Sequence, residues 1–92
     1  MSLRPSYSSR FHRDVRLAEK RGKDLAKLRK VADLIIEGES LAPRLRDHPL
    51  KGEFVGHREC HIEPDWLLVY RIDPRANEVH FSRTGTHSDL FG

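Results

Sequence analysis

The apolar residues of this chain keep two different periods, one in each half. Phe11, Val15 and Ala18 recur at helical spacing, with Arg10, Arg13, Asp14, Arg16, Glu19 and Lys20 mostly on the remaining faces. Ser8 or Ser9 suits the N-cap of this first helix, and Gly22 suits a left-handed residue that ends it. A second helix is expected from about Asp24 to Glu37, with Leu25, Leu28, Val31, Ala32, Ile35 and Ile36 as its apolar set and Gly38 as its stop. The short link predicts an antiparallel helical hairpin. Residues 41–52, with Pro43 and Pro49, read as a structured loop.

Beyond that loop the period shortens to two. Phe54–Gly56, Glu59–Ile62, Trp66–Ile72 and Glu78–Thr84 are predicted strands, rich in aromatic and β-branched residues. Asp73-Pro74-Arg75-Ala76-Asn77 has the Asp-Pro opening of a type I turn, so the last two strands should form a hairpin. Ser6-Tyr7-Ser8, behind Pro5, reads as a short edge strand. The expected fold class is α+β. An N-terminal strand and a two-helix hairpin pack on an antiparallel sheet, and a short C-terminal tail follows.

Composition narrows the function. A chain of 92 residues is expected to form one domain. With Cys60 as the sole cysteine, no internal disulfide is possible, and the cytosol is the expected location. No apolar run approaches the ~20 residues of a membrane span, and Met1-Ser2-Leu3-Arg4-Pro5 lacks the apolar stretch of a secretory signal. Residues 1–46 hold 12 Lys/Arg against 6 Asp/Glu, whereas residues 47–92 hold 5 against 8. Five of the six histidines fall in the second half. The first half thus reads as an electrostatic handle and the second as a working surface.

Candidate chemistry lies at strand ends and loops. His48 sits in Asp47-His48-Pro49-Leu50 and His61 in His61-Ile62-Glu63-Pro64-Asp65-Trp66. Arg83 and His87 flank Thr84-Gly85-Thr86 in the polar closing segment that ends Leu90-Phe91-Gly92. Strand alternation turns Cys60 and Ile62 to the core and His61 away from it. RNA cleavage needs these residue types. The 2′-hydroxyl must lose a proton as it attacks phosphorus, the departing 5′-oxygen must gain one, and the phosphorane needs positive charge beside it. Histidine serves as acid or base near neutrality, arginine grips phosphate bidentately, and Phe91 or Trp66 can stack on a base.

Other uses compete for the same residues. His12 fits a solvated helix face, and His57 and His80 fit structural or exposed positions. Trp66 is as well suited to the core as to stacking, and Phe91 to packing the C-terminus. Strict alternation from Val79 and Phe81 places Arg83 on their face, so its use requires a twist or bulge. For metal ligation, Pro64 prevents the helix that would join His61 to Asp65, and no Cys pair or His-x-x-x-His exists; no metal and no cofactor are expected. Cys60 points inward, unsuited to nucleophilic attack.

These motifs, with Arg13-Asp14-Val15-Arg16-Leu17-Ala18-Glu19-Lys20-Arg21, resemble the YafQ branch of the RelE superfamily, toxins of bacterial type II toxin–antitoxin pairs. The resemblance covers nearly the whole chain. It implies a metal-independent endoribonuclease that cuts messenger RNA in the translating ribosome and is neutralised by a cognate antitoxin. His87, His48, His61 and Asp65 inherit acid–base and positioning roles, with His87 as general acid. Arg83 inherits phosphate contact, and Phe91 and Trp66 inherit shaping or stacking. The basic helices would grip ribosomal RNA and suit an acidic antitoxin. A noncatalytic gyrase poison of the ParE type and a plain RNA-binding module are the alternatives.

Overall fold

The computed structural model describes residues 2–92. Strand β1 (Arg4–Tyr7) leads into helices α1 (Ser9–Lys20) and α2 (Leu25–Ile36). A two-residue strand β2 (His48–Pro49), strands β3 (Arg58–Glu63), β4 (Trp66–Asp73) and β5 (Glu78–Gly85), and a short helix α3 (His87–Phe91) follow. The α+β class stands, and the helix boundaries follow their caps. Ser8 accepts from the Phe11 amide, Asp24 accepts from the Ala26 amide, and Gly22 takes φ 79° after α1.

The sheet order is β1-β5-β4-β3-β2. Neighbours pair antiparallel except β1, which runs parallel to β5 and makes the sheet mixed. Where β1 ends, α1 takes over the edge of β5: Ser8 donates to the Ser82 carbonyl, and the Thr84 amide donates to Asp14 at 3.1 Å.

Strand β4, Trp66-Leu67-Leu68-Val69-Tyr70, is apolar throughout because both of its faces are covered. Trp66, Leu68 and Tyr70 join Phe11, Leu28, Val31, Ile35, Cys60, Ile62 and Phe81 under the helices. Leu67 and Val69 face the other way, toward Leu90, Leu50 and Phe54. The sheet therefore has a helix-covered face and a more open face, capped at one end by α3 and residues 50–54.

Three local expectations need correction. Phe54–Gly56 is no strand, because Gly52 (φ 66°) and Gly56 (φ 87°) break extended backbone on either side of a single 3-10 turn. His48 and Pro49 do form a strand inside the expected loop. The polar C-terminal tail is α3, held by a capping box in which the Asp89 amide donates to Thr86 Oγ1 at 3.0 Å and the Thr86 amide donates to the Asp89 carboxylate at 2.9 Å. Arg21 at the end of α1 grips the same carboxylate at 2.6 and 3.2 Å. Gly85 is fixed by this closure: a Cβ there would lie 2.9 Å from the Asp89 carboxylate.

Candidate active site

Antiparallel pairing sets His48 opposite Glu59, while Glu59 and His61, two residues apart on β3, register against Val69 and Leu67. All three side chains therefore share the open face. His48 Nδ1 donates to the Arg46 carbonyl at 2.7 Å, and its Nε2 lies 3.1 Å from Glu59 Oε2. His61 Nε2 stands 3.6 Å from that same oxygen. Both ring nitrogens of His48 thus face acceptor oxygens. Glu59 is buried, and its Oε1 has no hydrogen-bond partner among the described residues.

The second half of the site comes from α3. His87, first residue of the helix, donates its backbone amide to Asp65 Oδ1 at 2.9 Å, and its ring Nδ1 meets the same oxygen at 2.6 Å. This contact fixes Nδ1 as a donor and leaves proton traffic to Nε2. The rings of His61 and His87 are 5.6 Å apart between centroids, and those of His48 and His61 6.2 Å. All four sequence-predicted acid–base residues are thus brought together. Asp65 stands with His87 rather than with His48 and His61.

Asp47 holds the His48 segment in place. It accepts from Arg58 Nη2 at 3.0 Å and from the Tyr70 hydroxyl in a very short contact. Burial, and then the Asp47 carboxylate, push the Tyr70 hydroxyl well above its ordinary range. Cys60 lies fully in the core, where burial raises its thiol to about 12 and removes it as a nucleophile.

The expected substrate-contact residues divide. The needed bulge exists: between Tyr70–Phe81 and Val69–Arg83 the β4–β5 register slips past Ser82, moving Arg83 off the Phe81 face. Its Nε and Nη2 donate to Asp14 at 2.7 and 3.2 Å, leaving Nη1 outside the pair. Phe91 is half-exposed. Trp66 must be corrected: it is 1 % exposed and donates Nε1 to Thr84 Oγ1 at 3.0 Å, so no ring face is open to a base. His80 accepts or donates at Ser6 Oγ, and His12 lies exposed on α1.

Sequence reading missed Glu59. Its signal was present, since a strand that turns His61 outward turns Glu59 outward too; only the β2 pairing shows that it meets His48. The same pairing removes the ground on which metal was set aside. Ligand atoms of His48, Glu59 and His61 lie within 4.8 Å of one another, close enough to hold a cation. A larger cavity, about 540 Å³, lies between Tyr7, α1 and α2, away from this cluster. Among the described residues, no helix is long and apolar enough to cross a membrane.

Residues 3–92 match the family model described as the bacterial toxin of type II toxin–antitoxin systems, YafQ. The chain belongs to the YafQ toxin family. It is 44% identical over 87 residues to the mRNA interferase toxin YafQ of Escherichia coli K12, covering 94% of this chain and 92% of that protein. YafQ in the E. coli DinJ–YafQ toxin–antitoxin complex superposes with a TM-score of 0.91 at 41% identity, covering 100% of both chains. A metal-bound toxin from Helicobacter pylori superposes with a TM-score of 0.91 at 43% identity, covering 97% of this chain and 99% of that one.

The docking of α3 carries a pH dependence. The Asp65 carboxyl is held below the ordinary range, chiefly by the His87 amide and then its ring; the Asp89 carboxyl is held well below it, chiefly by Arg21 and then the Thr86 amide. A depressed carboxyl contributes fully above its unfolded value, ~3.9, and loses that contribution as pH falls through the folded value. Helix α3 should therefore stay docked down to about pH 4 and loosen below it, visible in the amide resonances of Thr86, His87 and Asp89. Release already at pH 6 would contradict this assignment.

Proposed function

We propose that this YafQ-family chain is an mRNA interferase, an endoribonuclease toxin that cuts messenger RNA during translation and is neutralised by a cognate antitoxin. The carrying observation is the arrangement of two proton-handling groups, His48–Glu59–His61 and Asp65–His87, facing each other 5.6 Å apart on one sheet face. In this reading both groups act on one phosphodiester placed between them.

In this reading the His48–Glu59–His61 group takes the 2′-hydroxyl proton as that oxygen attacks phosphorus. His87 Nε2 delivers a proton to the departing 5′-oxygen, the bond to phosphorus breaks, and a 2′,3′-cyclic phosphate remains. Arg83 meets the phosphorane through Nη1, while Asp14 holds the plane of its guanidinium. Phe91 stacks on a neighbouring base. The basic faces of α1 and α2 bind ribosomal RNA with salt-dependent affinity and suit an acidic antitoxin segment.

Primer extension on cellular messages after induction tests the reading. Discrete cuts within codons, confined to translated message, are expected. DNA damage with intact message would replace it with gyrase poisoning, and binding to programmed ribosomes without cleavage would replace it with an RNA-binding module. Glu59→Gln keeps the side-chain volume but withdraws the carboxylate charge the imidazoles share. It should lower cleavage by up to ~10²-fold, the scale of a ~1 Å misplacement of reacting groups. Thermal stability should hold or rise, since the buried carboxyl it replaces has one oxygen without a partner among the described residues. Undiminished single-turnover cleavage in that variant would deny Glu59 any part in the site.

A further inference from the structure

Between α2 and β2 the chain makes a single 3-10 turn, Pro43–Leu45, pinned by the buried Leu45. Arg46 follows with φ 49°, a left-handed conformation that residues other than glycine adopt rarely and that persists where the surroundings enforce it. Its carbonyl meets His48 Nδ1 at 2.7 Å, so the backbone of Arg46 serves the site. Its side chain has a separate place. A cleft of about 330 Å³ is lined by Arg44, Arg46, His61 and Glu63, with Leu45 and Ile62 among its apolar parts. One acid–base residue of the site therefore opens directly onto this cleft.

Charge narrows what the cleft can take. Arg21, Arg58 and Arg83 are each held by a carboxylate of their own. Arg44 and Arg46 are exposed and have no ion-pair partner among the described residues. The acid lining the cleft, Glu63, meets Lys23 and Lys27 at 2.9 and 3.0 Å, so its charge is already matched. Glu59, the carboxylate behind His61, is buried and shared by two imidazoles. Two unpaired guanidiniums remain, and apart from the His61 imidazole the cleft has no aromatic ring on which a base could stack. Forked guanidiniums match the oxygens of a phosphate.

We propose that Arg44 and Arg46 form a subsite for a backbone phosphate of the message, the one on the 5′ side of the nucleotide that supplies the attacking 2′-hydroxyl. Its place along the message rests on the proposed nuclease reading. There His61 belongs to the group that takes the 2′-hydroxyl proton, and His87, on the side of the leaving oxygen, does not line the cleft. From the attacking nucleotide the strand runs one way to the scissile phosphate between His61 and His87. The other way leads past His61 to the preceding phosphate. Because that phosphate does not react, its contacts are alike in ground and transition states, and they lower KM rather than raise kcat.

Two measurements separate this inference from the reading beneath it. The first is cleavage on ribosomes programmed with a defined message. Arg44→Gln should raise KM by about three- to fivefold, the scale of one exposed ionic contact. Arg44→Gln with Arg46→Gln should raise it further, and Arg44→Lys should recover part of the loss. A neutral methylphosphonate at the preceding phosphate should cost the wild-type toxin a similar factor and cost the double variant nothing more, since both changes remove one contact. The second needs no cleavage: a fluorescein-labelled RNA hexamer with a 2′-deoxy sugar at the cut, titrated into the isolated toxin. Its log–log salt slope should fall by ~0.7 in Arg44→Gln, the loss of one single-strand phosphate contact. Melting temperatures show that each variant is folded. Unchanged KM in the folded double variant overturns the subsite, even where antitoxin binding weakens. So does a methylphosphonate penalty that is equal in variant and wild type, which would assign the arginines to a phosphate of ribosomal RNA. A reduced salt slope in a toxin whose wild type cuts no message retains the phosphate contact and overturns only the nuclease.

Discussion

His87→Ala is expected to lower messenger cleavage by about 10²–10⁴-fold, the range lost with one general acid. Growth arrest should disappear with it. The geometry behind this size is specific. His87 is the acid–base group held by the C-terminal helix; its ring makes a 2.6 Å contact to Asp65 through Nδ1 and stands 5.6 Å from the His61 ring between centroids. Alanine removes the transferable proton and nothing else of consequence. The ring is half-exposed, and the backbone amide that Asp65 accepts from at 2.9 Å is kept. The capping box of Thr86 and Asp89 and the grip of Arg21 are also kept, so stability should change by no more than ~0.5 kcal/mol. Antitoxin binding should survive. Asp65→Asn, in contrast, should give a smaller loss, because an exposed carboxylate that orients the ring is missed less than the ring. Full toxicity in His87→Ala, with the protein folded and expressed, would remove the acid from the proposed mechanism.

What the sequence disclosed depended on whether a feature was local. Helices α1 and α2 were legible because their caps, Ser8 and Asp24, and their apolar spacing lie within one segment. The β4–β5 hairpin was legible because the Asp73–Asn77 turn lies between its strands; Asp73 there accepts from the Arg75 and Ala76 amides. The capping box of α3 was equally local, Thr86 and Asp89 standing three apart, yet the polar run that contains it resembles a tail. The parallel pairing of β1 with β5 joins residues more than seventy apart and leaves no mark on either segment. Glu59 and the cation-sized cluster were hidden for the same reason. Their meeting depends on a two-residue strand, His48–Pro49, that no periodicity announces.

Trp66→Ala should destabilise the protein by about 3–5 kcal/mol, the range for emptying a large aromatic site in a core. That is a large share of the ~5–15 kcal/mol that holds a domain of this kind together, so its melting temperature should fall by at least ~12 °C. The ring is 1% exposed, packs in the layer beneath the helices, donates to Thr84, and lies under Lys23 Nζ at 5.7 Å from its centroid. Thr84 in turn donates to the Leu67 carbonyl, so Trp66 fastens the end of β5 from which α3 and His87 depart. A stacking role predicts the opposite pattern: lost cleavage without lost stability. Trp66→Phe separates the two. It keeps most of the buried apolar surface and loses the Nε1 bond, costing ~1–2 kcal/mol, and each folded molecule should still cut message at close to the wild-type rate. Calorimetry paired with cleavage per folded molecule decides the matter. A stable Trp66→Phe toxin with cleavage reduced a hundredfold would return the tryptophan to the substrate side.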